Sequence, residues 1–199
     1  MGSKDRIQRL KEHTRRNILQ AALKIVKHDG WHALNMRRIA EDIDYTAPII
    51  YEYFNGKDAL VAELSASGFR KLAAAIGKAK NDHIAPVKQL EAMWLTYWNF
   101  AFAEKELYQA MFGVEVSCSA MKEGFAKAEQ IPGLFKEVIR ELIGDTNATE
   151  DIINTKYFTL WSVVHGLISI NLINKGKSEE INQMVLHEAI NNIIASIIH

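Results

Sequence analysis

The 199 residues are 48% hydrophobic, hold only three prolines and show no strand-like alternation; they suit a substantial all-helical core but barely fill two ordinary domains. Charge balances at 24 Lys/Arg against 24 Asp/Glu, yet residues 1–60 hold 11 basic and 8 acidic side chains and residues 61–199 hold 13 and 16, so a modest basic excess lies at the N-terminal end. A single cysteine, Cys118, excludes an intrachain disulfide. With no resolving thiol or basic cluster near it, no redox role is expected of it. No apolar run is long enough to cross a bilayer and no secretory signal is seen, so a cytoplasmic protein without a membrane partner is expected.

A first helix is expected from about Leu10 to Lys27, with Ile18, Leu19, Ala22, Leu23 and Val26 inward and a stop at Asp29-Gly30. Lys4, Arg6, Arg9 and Lys11 precede it as a basic arm. Asn35 is placed to cap a short helix whose apolar face is Ile39, Ala40 and Ile43. Ile43-Asp44-Tyr45 is a tight turn in which Asp44 tolerates left-handed backbone. Thr46 is expected to cap the next helix by accepting a backbone N–H, and Pro48 falls in its first turn, where a missing N–H costs little. Ile49, Ile50, Tyr53 and Phe54 supply its apolar face, and Asn55 with Asp58 suggests a capping box for a third helix.

Two short helices joined by a tight turn and sharing a small core form a helix-turn-helix, a device for reading DNA. With the second helix in a major groove, Thr46, Ala47, Pro48 and Ile49 approach base edges. Only Thr46 brings a hydrogen-bonding side chain, so apolar contact with thymine methyls matters more than usual. Asn35 and Arg37 open the preceding helix, where dipole and cation both favour a phosphate.

Further helices are expected at 56–80, 86–103, 105–112, 120–143 (interrupted at Ile131-Pro132-Gly133), 150–174 and 178–198. The concentration of large side chains between 94 and 125 either lines a pocket or fills the core. Its candidate pocket residues are Trp94, Tyr97, Trp98, Phe102, Met111, Phe112 and Phe125, joined by Trp161 and His165 one turn apart on a later helix. Residues 155–173 are apolar on almost every side, and Thr159, Ser162, Gly166 and Ser169 form a stripe of small residues that admits a close helix. Met184, Val185, Ala189 and Ile193 add a second apolar face, so these eight residues are the candidate dimer interface. No His, Cys, Asp and Glu spacing matches a metal site, and no cofactor is expected.

Gly30, Asn35, Arg38, Ile39, Ala40, Thr46, Ile50, Tyr51, Tyr53, Phe54, Lys57, Asp58 and Leu60 resemble the pattern of the TetR family of bacterial one-component transcriptional regulators. Asp44 stands where that family usually has a glycine, and Pro48-Ile49 where small or polar residues are common. Trp161-x-x-x-His165-Gly166 looks like the C-terminal domain of one TetR subgroup. The resemblance implies an all-α protein of about nine helices, with a helix-turn-helix domain at 1–57 and an effector-binding and dimerisation domain at 58–199. It also implies phosphate contacts from Tyr51 and Lys57, a four-helix homodimer interface, and release from a double-stranded DNA operator by a small effector, here expected to be apolar or aromatic. Alternatives are a DNA-binding regulator controlled by a protein partner, with the aromatics as solid core, and an enzyme using the aromatic cavity. Against the enzyme, the chain has no phosphate loop, nucleophile elbow or dinucleotide fingerprint.

Overall fold

In the computed structural model, which describes residues 2–113, 130–144, 148–174 and 178–198, the regular elements are all helical. They are α1 (Ser3–Asp29), a 3-10 turn (Trp31–Ala33), α2 (Met36–Asp42), α3 (Ala47–Tyr53), α4 (Lys57–Asn81), α5 (Pro86–Ala103), α6 (Lys105–Phe112), α7 (Gln130–Ile143), α8 (Glu150–Asn174) and α9 (Glu179–Ile198). Nine α-helices and no strand among the described residues make this the all-α fold that the sequence predicts. Cys118, Met121 and Phe125 lie outside the described residues.

Residues 3–9 are helical, where the sequence suggests a basic arm. Asp5 sits in the first turn and its carboxylate accepts the Gly2 N–H at 3.1 Å, so the helix begins seven residues before Leu10. Lys4, Arg6, Arg9 and Lys11 are therefore exposed positions on α1. The sequence allows an interruption at Ile131-Pro132-Gly133, but from Gln130, the first described residue after 113, to Ile143 the helix α7 runs unbroken through all three.

Two compact units form. One holds residues 2–68 and 106–113 of the described chain, the other residues 69–105 and 130–198. In the first, Ile18, Ala22 and Val26 of α1 meet Ile39 and Ala40 of α2, Ile50 of α3, Phe54 and Leu60, with Leu19, Leu23 and Tyr53 packed around them. α6 joins this core through Leu107 and Ala110, and Trp31 Nε1 donates to Gln109 Oε1 at 3.1 Å. Gly68 of α4 lies so close to α6 that a Cβ there would sit 2.5 Å from Met111 Sδ. In the second unit α5, α7, α8 and α9 pack on one another, burying Leu90, Met93, Phe135, Val138, Leu160, Val164, Leu186 and Ile190. No helix among the described residues is long and apolar enough to cross a membrane.

Candidate functional site

The helix-turn-helix is set by local chemistry. Asn35 holds extended backbone and its Oδ1 accepts the Arg38 N–H at 2.9 Å, which starts α2. α2 ends in a left-handed residue, as helices commonly do, and here that residue is Asp44 at φ 57°. The Tyr45 N–H then reaches back to the Ala40 carbonyl at 2.9 Å, the long hydrogen bond of a Schellman ending. Asp44 thus takes the left-handed position of the turn, as its side chain predicts.

Thr46 precedes α3 with extended backbone, but its hydroxyl makes no capping hydrogen bond, contrary to the expectation. The reason is Pro48. A cap accepts from the second or third amide of the helix; the second residue is Pro48, which has none, and the third amide, Ile49 N–H, bonds the Thr46 carbonyl at 3.0 Å. The hydroxyl stays exposed with the rest of the helix tip. The Asn55 cap also shifts: α4 begins at Lys57, and the Gly56 carbonyl accepts the Leu60 N–H at 3.3 Å, so Gly56, at φ 94°, holds the cap position.

α3 turns Ile50 into the core and leaves Thr46, Pro48, Tyr51 and Glu52 exposed, with Ala47 and Ile49 half-buried. Tyr51 is 54% exposed, and Tyr45, in the turn before α3, is 41% exposed. Sequence reasoning passed over Tyr45, although a bulky aromatic in a polar turn is a usable signal. Tyr53 goes inward beside Phe54, over which Arg15 stacks at 4.5 Å. The cations around the tip are tethered: Lys24 to Asp42 at 2.6 Å, Arg37 to Glu41 at 3.1 Å, Arg38 to Asp29, and Lys57 Nζ to the Trp31 carbonyl at 3.0 Å. A hydrogen bond from His28 and the Arg38 guanidinium hold the Asp29 carboxyl below the usual carboxylate range.

The candidate pocket residues fall in both compact units. Trp94, Tyr97, Trp98, Trp161 and His165 belong to the second unit. Trp161 Nε1 donates to Tyr97 Oη at 3.1 Å, Tyr97 Oη lies 3.4 Å from His165 Nδ1, and the Trp161 and His165 rings stack 5.0 Å apart. Burial pushes His165 below the ordinary histidine value and Tyr157 above the ordinary tyrosine range. Trp94 is fully buried on Phe135, ring centroids 4.0 Å apart, and its Nε1 has no hydrogen-bond partner among the described residues. Phe135 and Tyr157 complete this cluster and were not singled out from sequence, where they read as ordinary helix-face apolar residues. Phe102 lies tilted against Trp98, ring centroids 4.7 Å apart, from an exposed position. Met111 and Phe112 belong to the first unit, Met111 against Gly68 and Phe112 against Tyr108.

On α8, Thr159 and Ser162 are exposed and Gly166 and Ser169 half-buried. The Thr159 hydroxyl folds back to donate to the Thr155 carbonyl at 2.8 Å, which satisfies it within its own helix. Phe158, Thr159, Ser162 and Val163 border an open groove on this helix. Met184 is 70% exposed and Val185 is exposed, while Ala189 and Ile193 are half-buried. Among the described residues no group of His, Cys, Asp and Glu is placed to hold a metal ion.

Residues 18–64 match a family model described as bacterial regulatory proteins, tetR family, and residues 90–184 match a tetracyclin repressor-like, C-terminal domain model. Comparison with curated proteins gives no match. Among solved structures, a protein of unknown function from Rhodococcus sp. RHA1 is 20% identical, covers 93% of this chain and 95% of its own, and superposes with a TM-score of 0.78. The fatty acid degradation regulator FadR from Bacillus halodurans gives 14% identity, 93% and 96% coverage and a TM-score of 0.73. The TetR family transcriptional regulator PfmR from Thermus thermophilus gives 15%, 89% and 97%, and 0.66. At these identities the likeness concerns the fold.

Proposed function

Because the chain belongs to the TetR family of bacterial regulatory proteins, a family of DNA-binding regulators, we propose that it acts as a homodimeric repressor that releases its operator when a small apolar or aromatic effector binds. The observation that supports DNA reading best is the N-terminal end of α3, with Thr46, Pro48 and Tyr51 exposed, set on a turn held by left-handed Asp44 and the Tyr45 N–H bond to the Ala40 carbonyl. Residues 1–57 form the DNA-binding domain and residues 58–199 the effector-binding and dimerisation domain. Asn35, Arg37, Tyr51 and Lys57 hold phosphates and Thr46, Ala47, Pro48 and Ile49 face bases.

The effector site is placed at Trp94, Tyr97, Trp98, Trp161 and His165, where the polar tips of an aromatic cluster form a hydrogen-bonded chain. The Trp161, His165 and Gly166 pattern fits the subgroup resemblance. The dimer forms through the stripe on α8 and the exposed Met184 and Val185 of α9, whose apolar surface otherwise stays in water. No catalysis is assigned, and the protein works in the cytoplasm, where its operator lies.

The test is binding of the full chain to a DNA site selected from a randomised pool, read by fluorescence anisotropy alongside sedimentation. A dimer is expected to bind two half-sites about one helical turn or more apart. A panel of apolar and aromatic compounds is then added, and at least one is expected to lower affinity by roughly 5- to 150-fold. A monomer that binds DNA overturns the dimer; a dimer that no compound affects favours control by a protein partner.

A further inference from the structure

Resting on the reading that α3 enters the major groove, we infer that this chain selects its operator through thymine methyl groups at A·T pairs, and not through bidentate hydrogen bonds to purines. Purines are read bidentately by Arg or Lys on guanine and by Asn or Gln on adenine. Residues 43–54, which make the turn and all of α3, contain none of the four.

The neighbouring candidates lie outside the turn and α3, on the flanks of the motif where Asn35, Arg37 and Lys57 are assigned to phosphates, and each has a partner within the chain. Lys24, Arg37 and Arg38 are paired with Asp42, Glu41 and Asp29, and Lys57 Nζ donates to the Trp31 carbonyl. Asn35 uses both ends of its amide, Oδ1 accepting from Arg38 N–H and Nδ2 donating to the Ala33 carbonyl at 3.3 Å. Glu52 is the single charged side chain of α3, in its last turn, away from the end that approaches base edges.

What the tip offers is apolar. Pro48 is exposed, Ala47 and Ile49 half-exposed, and Tyr45 adds an exposed ring beside them in sequence. Pro48 acts twice: its ring is a methylene surface with no donor, and by removing the amide that Thr46 would cap it leaves the Thr46 hydroxyl as an adaptable hydrogen-bonding group beside the phenols of Tyr45 and Tyr51. In the major groove, the feature that an apolar surface distinguishes is the C5 methyl of thymine. Tyr45, Ala47, Pro48 and Ile49 are thereby specificity-determining residues.

A site is selected from duplexes with a randomised centre, using the full chain, and remade with deoxyuridine for thymine one position at a time and with 7-deazaguanine for guanine. Loss of one buried methyl is expected to weaken binding roughly three- to fivefold at one or more positions in each half-site. The 7-deazaguanine duplexes are expected to stay within about twofold. Pro48→Ala, helical content checked by circular dichroism, is expected to shrink the thymine-to-uracil ratio. Lys57→Ala lowers affinity for both duplexes and preserves that ratio. Should Pro48→Ala lose helix, the uracil series on the unaltered chain decides alone. Sensitivity to 7-deazaguanine with indifference to uracil overturns the inference and leaves DNA binding standing; enrichment of no sequence overturns the DNA-reading assignment itself.

Discussion

Gly68 and Gly77 both lie within α4, and replacing either with alanine removes the same backbone-entropy cost, a gain of about 1 kcal/mol in a helix interior. Their surroundings differ. At Gly77 a new Cβ meets Leu134 Cδ1 at 4.0 Å, ordinary van der Waals contact. At Gly68 it would lie 2.5 Å from Met111 Sδ, 3.0 Å from Met111 Cγ and 3.4 Å from Leu107 Cβ. Comfortable separations are about 3.5–4.0 Å, so the Met111 side chain must move by about 1 Å, and it is fully buried. Overpacking of this kind costs about 1–3 kcal/mol, so Gly68→Ala is expected to destabilise by about 0–2 kcal/mol while Gly77→Ala stabilises by about 1 kcal/mol. For a chain of this length 1 kcal/mol corresponds to about 2–4 °C in Tm. Met111→Ala should cost about 2–5 kcal/mol alone, yet in its background Gly68→Ala should become favourable, a coupling of about 1–3 kcal/mol. Thermal and urea unfolding at one fixed protein concentration reads all four variants. If Gly68→Ala raises Tm as much as Gly77→Ala, α6 does not approach α4 as described.

Four further outcomes are expected. Lys57→Ala and Tyr51→Ala should weaken binding to every duplex sequence, with Lys57→Ala lowering the salt slope by about 1; unchanged affinity at fixed salt would remove both from the phosphate contacts. Asp44→Gly should stabilise by about 0.5 kcal/mol and Asp44→Val destabilise by about 1–2 kcal/mol, because the φ of 57° strains a β-branched side chain most; equal urea midpoints for the two would show that the turn is not left-handed. Burial lowers the His165 value below 6.5, so the unfolded chain binds a proton that the folded chain refuses. The stability this residue confers is therefore present above pH 6.5 and lost as pH falls through 6.5 toward the lowered value. His165→Gln should flatten the difference in urea midpoint between about pH 7.5 and about pH 5.5, and an undiminished slope would assign it to other groups. Gly166 has nothing within 4 Å of a new Cβ in its own chain, so Gly166→Ala should stabilise the protomer yet weaken a dimer packed on that stripe by roughly tenfold or more; sedimentation that shows unchanged association would place the interface elsewhere.

Much of this molecule was legible because the deciding forces act within a few residues. The breakers at Gly30, at Asn81 to Pro86 and after Ile143 delimit the helices, and Asn35 and Asp44 do at their own positions what their side chains predict. The family followed from spacing around those same turns. Even the local misjudgements had a local cause: Pro48 withdraws the amide that Thr46 would have capped, and Asp5 extends α1 to Ser3. Which apolar face meets which was decided only by the tertiary structure. Leu107, Ala110 and Met111 have a periodicity that suits any apolar partner, and the structure places them in the unit of the helix-turn-helix. Phe135 and Tyr157 stack with Trp94 although 41 and more residues separate them in sequence, while Phe102, an equally good core candidate by type, is left exposed. Burial of apolar surface is non-directional, so a sequence specifies that such side chains seek cover without naming what covers them. Geometry names it, as it does for the hydrogen bonds from Trp161 to Tyr97 and on to His165, whose partners lie 64 and 68 residues apart.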